Sequence, residues 1–240
     1  MPRPVDLLAI AAHPDDVELT SGGTLARAAE AGHRTGVLDL TRGEMASRGT
    51  PELRALEAAE ASRILGVAER VNAGLPDAHL TNSHEARKVV VEHLRAFRPR
   101  VVILPFQVGR HPDHRVASEL ARDACFLSGL SRYDGGPAAR PLKILYALAY
   151  REDPIKPSFV VPLTEGQFEK KLSAVRAYAS QFEGAQSAGE IFPTGQPLLE
   201  LVETQTRHYG SLIRRSFGEP FFTEETLEVE DLMELSVQSM

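Results

Sequence analysis

The sequence predicts an α/β fold in which a mostly parallel sheet carries helices on both faces. Three observations lead there. Short apolar runs alternate with longer segments of helical period through the first two thirds of the chain. The runs are continuous rather than polar on every second residue, as in strands buried on both faces. Glycine and proline stand between the segments, where helices stop and turns begin. The chain of 240 residues is long enough to bury one sizeable core. Residues 1–222 are expected to form one Rossmann-like domain, followed by an acidic tail over 223–240.

Each element has its own signal. Residues 6–12 read as a buried parallel strand. Gly22-Gly23 leads into a helix that ends near Gly32, where glycine suits the cap. Residues 35–40 are a second strand. The helix over 51–65 has proline in its first turn and Gly66 beyond its end. A short third strand covers 70–73, and a helix over 83–97 stops before Pro99. The fourth strand covers 101–104 and the next helix 114–128. Later strands are expected at 144–149 and 159–161, and helices at 165–178 and 198–208. Loops are expected at 135–137 and 183–197.

Composition narrows the function. The 33 acidic and 27 basic side chains leave a net charge of −6 with no basic stripe, which argues against a nucleic-acid partner. A single cysteine, Cys125, excludes an intrachain disulfide framework. It lies in an apolar pattern and reads as a buried thiol. No stretch approaches the roughly 18 apolar residues of a membrane span. The start of the chain lacks a signal-peptide pattern, so the expected location is cytoplasmic.

Two clusters carry the chemistry. His13-Pro14-Asp15-Asp16-Val17-Glu18 follows the first strand, and Arg110-His111-Pro112-Asp113-His114 follows the fourth. In open parallel sheets ligands bind beyond the carboxyl ends of the strands, where strand order reverses. In the common order the first and fourth strands are neighbours at that point, so the two clusters can meet. Three residues separate His13 from Asp16, which puts them on one side of a turn, and the same separation holds for His111 and His114. Two imidazole nitrogens and one carboxylate oxygen make a catalytic zinc shell with one open position, although the same set also suits iron(II). Asp15, pointing elsewhere, can reach a metal-bound water. A single His-Pro-Asp is more simply a turn with a capping aspartate, and it is the pair that points to a metal. Gly22-Gly23-Thr24 can cradle a phosphate at a helix start, but neither GxGxxG nor a P-loop is present, so a tight turn is the simpler reading. His208, beside Tyr209-Gly210, is a secondary candidate for the site.

These segments resemble the LmbE-like (PIG-L type) zinc-dependent N-acetylglucosaminide deacetylases. The resemblance rests on the two His-Pro-Asp motifs, with further similar segments at Leu40-Thr41-Arg42-Gly43-Glu44, Glu57-Ala58-Ala59-Glu60-Ala61, Leu75-Pro76-Asp77, Ser180-Gln181-Phe182 and Arg207-His208-Tyr209-Gly210. The last segment resembles the bacillithiol branch, which removes acetate from N-acetylglucosaminyl-malate. By matching position, the resemblance implies zinc (Zn2+) held by His13, Asp16 and His114, and a general base at Asp15. It implies a charge-stabilising His111 oriented by Asp113, and substrate contacts from Arg54 and Arg110. Some members place a tyrosine near the start of the late helix, where this chain has Leu198-Leu199. The resemblance further implies a small-molecule N-acetylglucosaminide substrate and a homo-oligomer, in this family often a hexamer. The rival readings are a deacetylase for another N-acetyl sugar conjugate, a metal-dependent glycosyltransferase, and a non-catalytic sugar-binding protein.

Overall fold

The computed structural model describes residues 2–134, 136–148, 155–182 and 197–237. Strand β1 (Leu7–Ala11) lies between β2 (Thr35–Thr41) and β4 (Val101–Pro105), parallel to both. Next to β2 stands β3 (Glu69–Leu75), and next to β4 stands β5 (Lys143–Ala147), again parallel. Beyond β5 come β7 (Phe217–Phe222) and then β6 (Phe159–Leu163), with β7 antiparallel to both of its neighbours. The order is therefore β3-β2-β1-β4-β5-β7-β6. The reversal of order falls between β1 and β4, where the two charged clusters were expected to meet.

Successive residues of β1 feed opposite cores, as the two-residue period of a strand requires. Leu8, Ile10 and Ala12 pack with α3 (His84–Phe97) and α4 (Pro112–Ser128), through Val90, Leu94, Leu120 and Ala121. Ala9 and Ala11 face the other way, toward Val17 and Leu25 of α1 (Asp16–Glu30). On that second face lie also α2 (Pro51–Leu65) and α5 (Glu165–Arg176), joined through Ala26, Ala61, Leu65 and Ala174. Two further helices follow, α6 (Ala179–Phe182) and α7 (Leu198–Leu212). Cys125 is buried, and burial pushes its thiol up to about 12. No helix among the described residues is long and apolar enough to cross a membrane.

Three differences from the sequence reading have physical causes. Helix α1 begins at Asp16, ahead of Gly22-Gly23, and breaks at Ser21 (φ −141°). Its second segment starts where the glycine pair predicts a helix. The first is one extra turn that presents Asp16. Helix α4 likewise begins early, because Pro112 is accommodated in the first turn, and His114 lies inside the helix. Strand β7 was not expected, since Gly218 and Pro220 interrupt its pattern. Pro220 stands opposite Val160 of β6 and just beyond the two-residue ladder to β5, so no rung to β5 needs its missing N–H. The expected loop at 183–197 lies outside the described residues up to 196, as do Gly135 and Ala149.

Candidate metal centre

The loops that follow β1, β3 and β4 bring the site together at the carboxyl edge of the sheet. Asp16 opens α1, and the backbone N–H of His13 donates to its Oδ2 at 2.9 Å. His13 Nδ1 stands 3.3 Å from Asp16 Oδ2, and His114 Nε2 stands 3.1 Å from Asp16 Oδ1. One donor atom from each of His13, Asp16 and His114 lies within 4.8 Å of the others. Two imidazole nitrogens and a carboxylate oxygen turned toward one point form a donor set that fits zinc. Burial works against charge on His13, but its hydrogen bonds to Asp16 and Asp77 outweigh it and carry the imidazole up to about 11. Burial likewise opposes the charge on His114, and Asp16 raises it nonetheless. Asp16, despite its burial, is held well below the ordinary carboxylate range by His114 and His13. Protons and a divalent cation are alternative partners for such a set.

The other face of His13 is held by Asp77, which sequence reasoning left without a role, and by Asp113. Its Nε2 lies 3.0 Å from Asp77 Oδ1 and 3.5 Å from Asp113 Oδ2. Asp77 follows β3 directly and also accepts from the backbone N–H of Met45 and of Ala78. Glu44 accepts in turn from the Asp77 N–H at 2.8 Å. A ligating histidine that gives its second N–H to a carboxylate is fixed in both tautomer and ring orientation. Beyond the similar Leu75-Pro76-Asp77 segment, the available signal was position: Asp77 lies two residues past β3, at the same sheet edge as the two histidine motifs.

Asp15 sits between these groups and the protein interior. Its φ of 117° is a left-handed value that costs a residue with a side chain of order 1–3 kcal/mol. Burial pushes its carboxyl up to about 7, against the pull of Arg54. Arg54 Nη2 donates to Asp15 Oδ2 at 2.6 Å. A carboxyl balanced near neutrality is suited to take a proton and return it.

His111 caps the start of α4, and its Nδ1 accepts from the Asp113 backbone N–H at 3.2 Å. The ring proton therefore belongs on Nε2, which is left as a donor. Burial and the neighbouring His114 and His13 lower the pKa of His111, which favours that neutral form. Asp113 thus meets His111 through its backbone N–H. The Asp113 carboxylate instead accepts from Ala78 N–H at 2.8 Å and approaches His13. Arg110 is exposed next to His111.

Two other expectations receive structural explanations. The Gly23 and Thr24 N–H groups, which could have met a phosphate, donate to Glu219 of β7 at 2.9 and 2.6 Å. A β-carbon at position 23 would lie 2.3 Å from Leu163 Cδ1, so glycine is needed for this approach. The segment Arg207-His208-Tyr209-Gly210 lies on α7, where Arg207 stacks 4.6 Å over the Phe217 ring and pairs with Glu203. His208 is exposed on that helix, outside the groups that could hold a metal among the described residues. Leu198 and Leu199 pack against the apolar cluster of Leu163, Phe168 and Val202.

Residues 8–125 match the PIG-L family, described as GlcNAc-PI de-N-acetylase. The chain is 41% identical to a conserved protein of known structure from Thermus thermophilus, with a TM-score of 0.84 over 94% of this chain and 98% of the other. It is 29% identical over 228 residues to a diacetylchitobiose deacetylase of Thermococcus kodakarensis, covering 89% of this chain and 80% of that protein. A 1D-myo-inositol 2-acetamido-2-deoxy-alpha-D-glucopyranoside deacetylase of Kineococcus radiotolerans is 28% identical over 250 residues, covering 75% of this chain and 69% of that protein.

Proposed function

The chain belongs to the PIG-L family of deacetylases, and from that premise we propose that it is a zinc-dependent hydrolase that removes acetate from an N-acetylglucosaminide. The observation that carries the reading is the convergence of His13, Asp16 and His114 on one point, with Asp15 beside them. Zinc, when bound there, supplies a Lewis acid that acidifies water and polarises the acetyl carbonyl. The remaining chemistry belongs to this chain. Asp15 takes a proton from the attacking water. His111, presenting Nε2–H, donates a hydrogen bond to the oxyanion that develops on the carbonyl. The proton held on Asp15 then passes to the departing amine, which leaves as the free amino sugar together with acetate. Asp77 and Asp113 hold His13 in place throughout.

The finer reading is N-acetylglucosaminyl-malate, the bacillithiol precursor, as substrate. It is supported by the exposed Arg110 beside His111, since a guanidinium at the mouth of the site suits an aglycone carboxylate. The relatives named for inositol-linked and chitobiose substrates make those aglycones the necessary comparison. The donor set disfavours the glycosyltransferase alternative, since such enzymes hold their metal through oxygens and here two of the three donors are imidazoles. Location in the cytoplasm and self-association complete the proposal, the latter supported by the exposed Phe126 and Leu142.

The deciding experiment is acetate release from a panel of free N-acetylglucosamine, its malate and inositol conjugates and diacetylchitobiose, with metal analysis of the same protein. Release with about one zinc per chain is expected, fastest on the malate conjugate. No release from any member overturns the activity. A preference for inositol or chitobiose overturns the finer reading alone.

A further inference from the structure

Resting on the deacetylase reading, we infer that Arg54 is a positioning residue that holds the base Asp15 in its working conformation, and that Gly43 exists to leave room for it. The resemblance to other deacetylases assigns Arg54 to substrate. The geometry assigns it elsewhere. Arg54 projects from the first turns of α2 and is 5% exposed. Its Nη2 donates to Asp15 Oδ2 at 2.6 Å, and its Nε is buried without an acceptor among the described residues. A guanidinium placed in this way cannot present its fork to an incoming carboxylate, because one arm already meets Asp15 and the inner nitrogen is out of reach.

Asp15 needs such a partner. Its backbone has φ 117°, and it stands at the start of α1 without using its side chain as a cap. Nothing in the local helix holds the carboxylate, and among the described residues Arg54 is its hydrogen-bond partner. Binding Oδ2 from behind fixes the side-chain torsion and leaves Oδ1 as the oxygen that exchanges the proton. Displacing a reacting group by about 1 Å can lower turnover on the order of 10²-fold.

Gly43 supplies the second observation. It has φ +66°, and a β-carbon there would lie 1.9 Å from Arg54 Nη1 and 3.0 Å from Cζ. The loop after β2 therefore forms a wall against which the planar guanidinium lies, and any side chain at 43 drives that group off Asp15. Loop 41–45, helix α2 and the start of α1 meet at this contact, so the orientation of the base depends on all of them.

The test uses the full-length zinc-loaded protein, free N-acetylglucosamine and N-acetylglucosaminyl-malate. Arg54→Ala is expected to lower kcat about 10- to 100-fold on both substrates, with KM within about threefold and zinc content unchanged. Added guanidinium should restore part of that loss, and Gly43→Ala should reproduce it with Arg54 intact. Loss confined to KM for the malate conjugate, with normal turnover of N-acetylglucosamine, overturns the inference and returns Arg54 to the substrate. Crystal structures of wild type and Arg54→Ala give a reading independent of turnover: an Asp15 carboxylate that has not moved also overturns it. An inactive wild type fails the deacetylase reading, while the paired structures still decide the role of Arg54.

Discussion

Helix α1 has two starts, and each holds a largely buried carboxylate, but the two are built in opposite ways. At the second start Glu219 accepts from the Gly23 N–H, the Thr24 N–H and the Thr24 hydroxyl. Lys171 Nζ lies 2.5 Å from the same carboxylate and also donates to the Leu19 carbonyl. Both oxygens of Glu219 are thereby occupied by groups of the protein. At the first start Asp16 faces two imidazoles at 3.1 and 3.3 Å, and three donor atoms turn to a common point. Burial of a carboxylate at a helix start is therefore not in itself a sign of function. What distinguishes the two is whether the donors are consumed by internal partners or converge on a place where a cation fits.

The largest effect should come from opening the closed cluster. Lys171→Met leaves Glu219 buried without its cation, and removing one partner of a buried pair costs about 3–5 kcal/mol. Chemical unfolding should read this loss, and adding Glu219→Gln should return much of it. Zinc content of the folded fraction should stay normal. Loss of zinc along with stability would show that the two clusters are not independent.

Asp15→Asn attacks the other cluster without disturbing its charge balance with a metal. Turnover should fall by about 10²-fold or more while zinc is retained, because the shape survives and the base does not. Steady-state rates with metal analysis check this, and near-normal turnover would break the assignment.

Zinc itself should sharpen the contrast next. Added to metal-free protein at about 100 times its Kd, it should stabilise the fold by about 2.7 kcal/mol. His13→Ala and His114→Ala should abolish that gain, whereas Lys171→Met should keep it. The sign of the pH dependence follows from raised imidazole pKa values in the metal-free site. Ligation requires neutral imidazole, so binding must expel protons and affinity should rise with pH. Calorimetry in two buffers of different ionisation enthalpy measures that release, and none at pH 7 would contradict the geometry.

The smallest effect concerns Cys125, which belongs wholly to the closed interior. With its thiol pushed up to about 12 by burial, it stays protonated at pH 8. Alkylation should be negligible in the folded protein and prompt after unfolding. Rapid reaction under native conditions would show that the interior behind α4 opens.

The fold was largely legible in the sequence because strand period and helix punctuation are local properties. Residues 6–12 and 101–104 were visible as strands, and topology placed their ends together before any distance was known. Strand β7 was not legible, since Gly218 and Pro220 interrupt its pattern and only the packing shows Gly218 against Gly210 and Pro220 just beyond the β5 ladder. The donors of the candidate site were legible too, because each His-Pro-Asp cluster is contiguous. The role of Asp77 was not, since its pairing with His13 joins the ends of two strands far apart in sequence.

By itself, then, the sequence determined a mostly parallel α/β sheet, the edge of it where the candidate site lies, and the residue types gathered there. Only the tertiary structure decided which partner each charge takes: Asp77 for His13, Arg54 for Asp15, Lys171 and the α1 amides for Glu219. The physical reason is range. Backbone conformation responds to neighbours within a few residues. A buried charge is settled by whichever opposite charge or donor the packing of distant elements brings within about 3 Å.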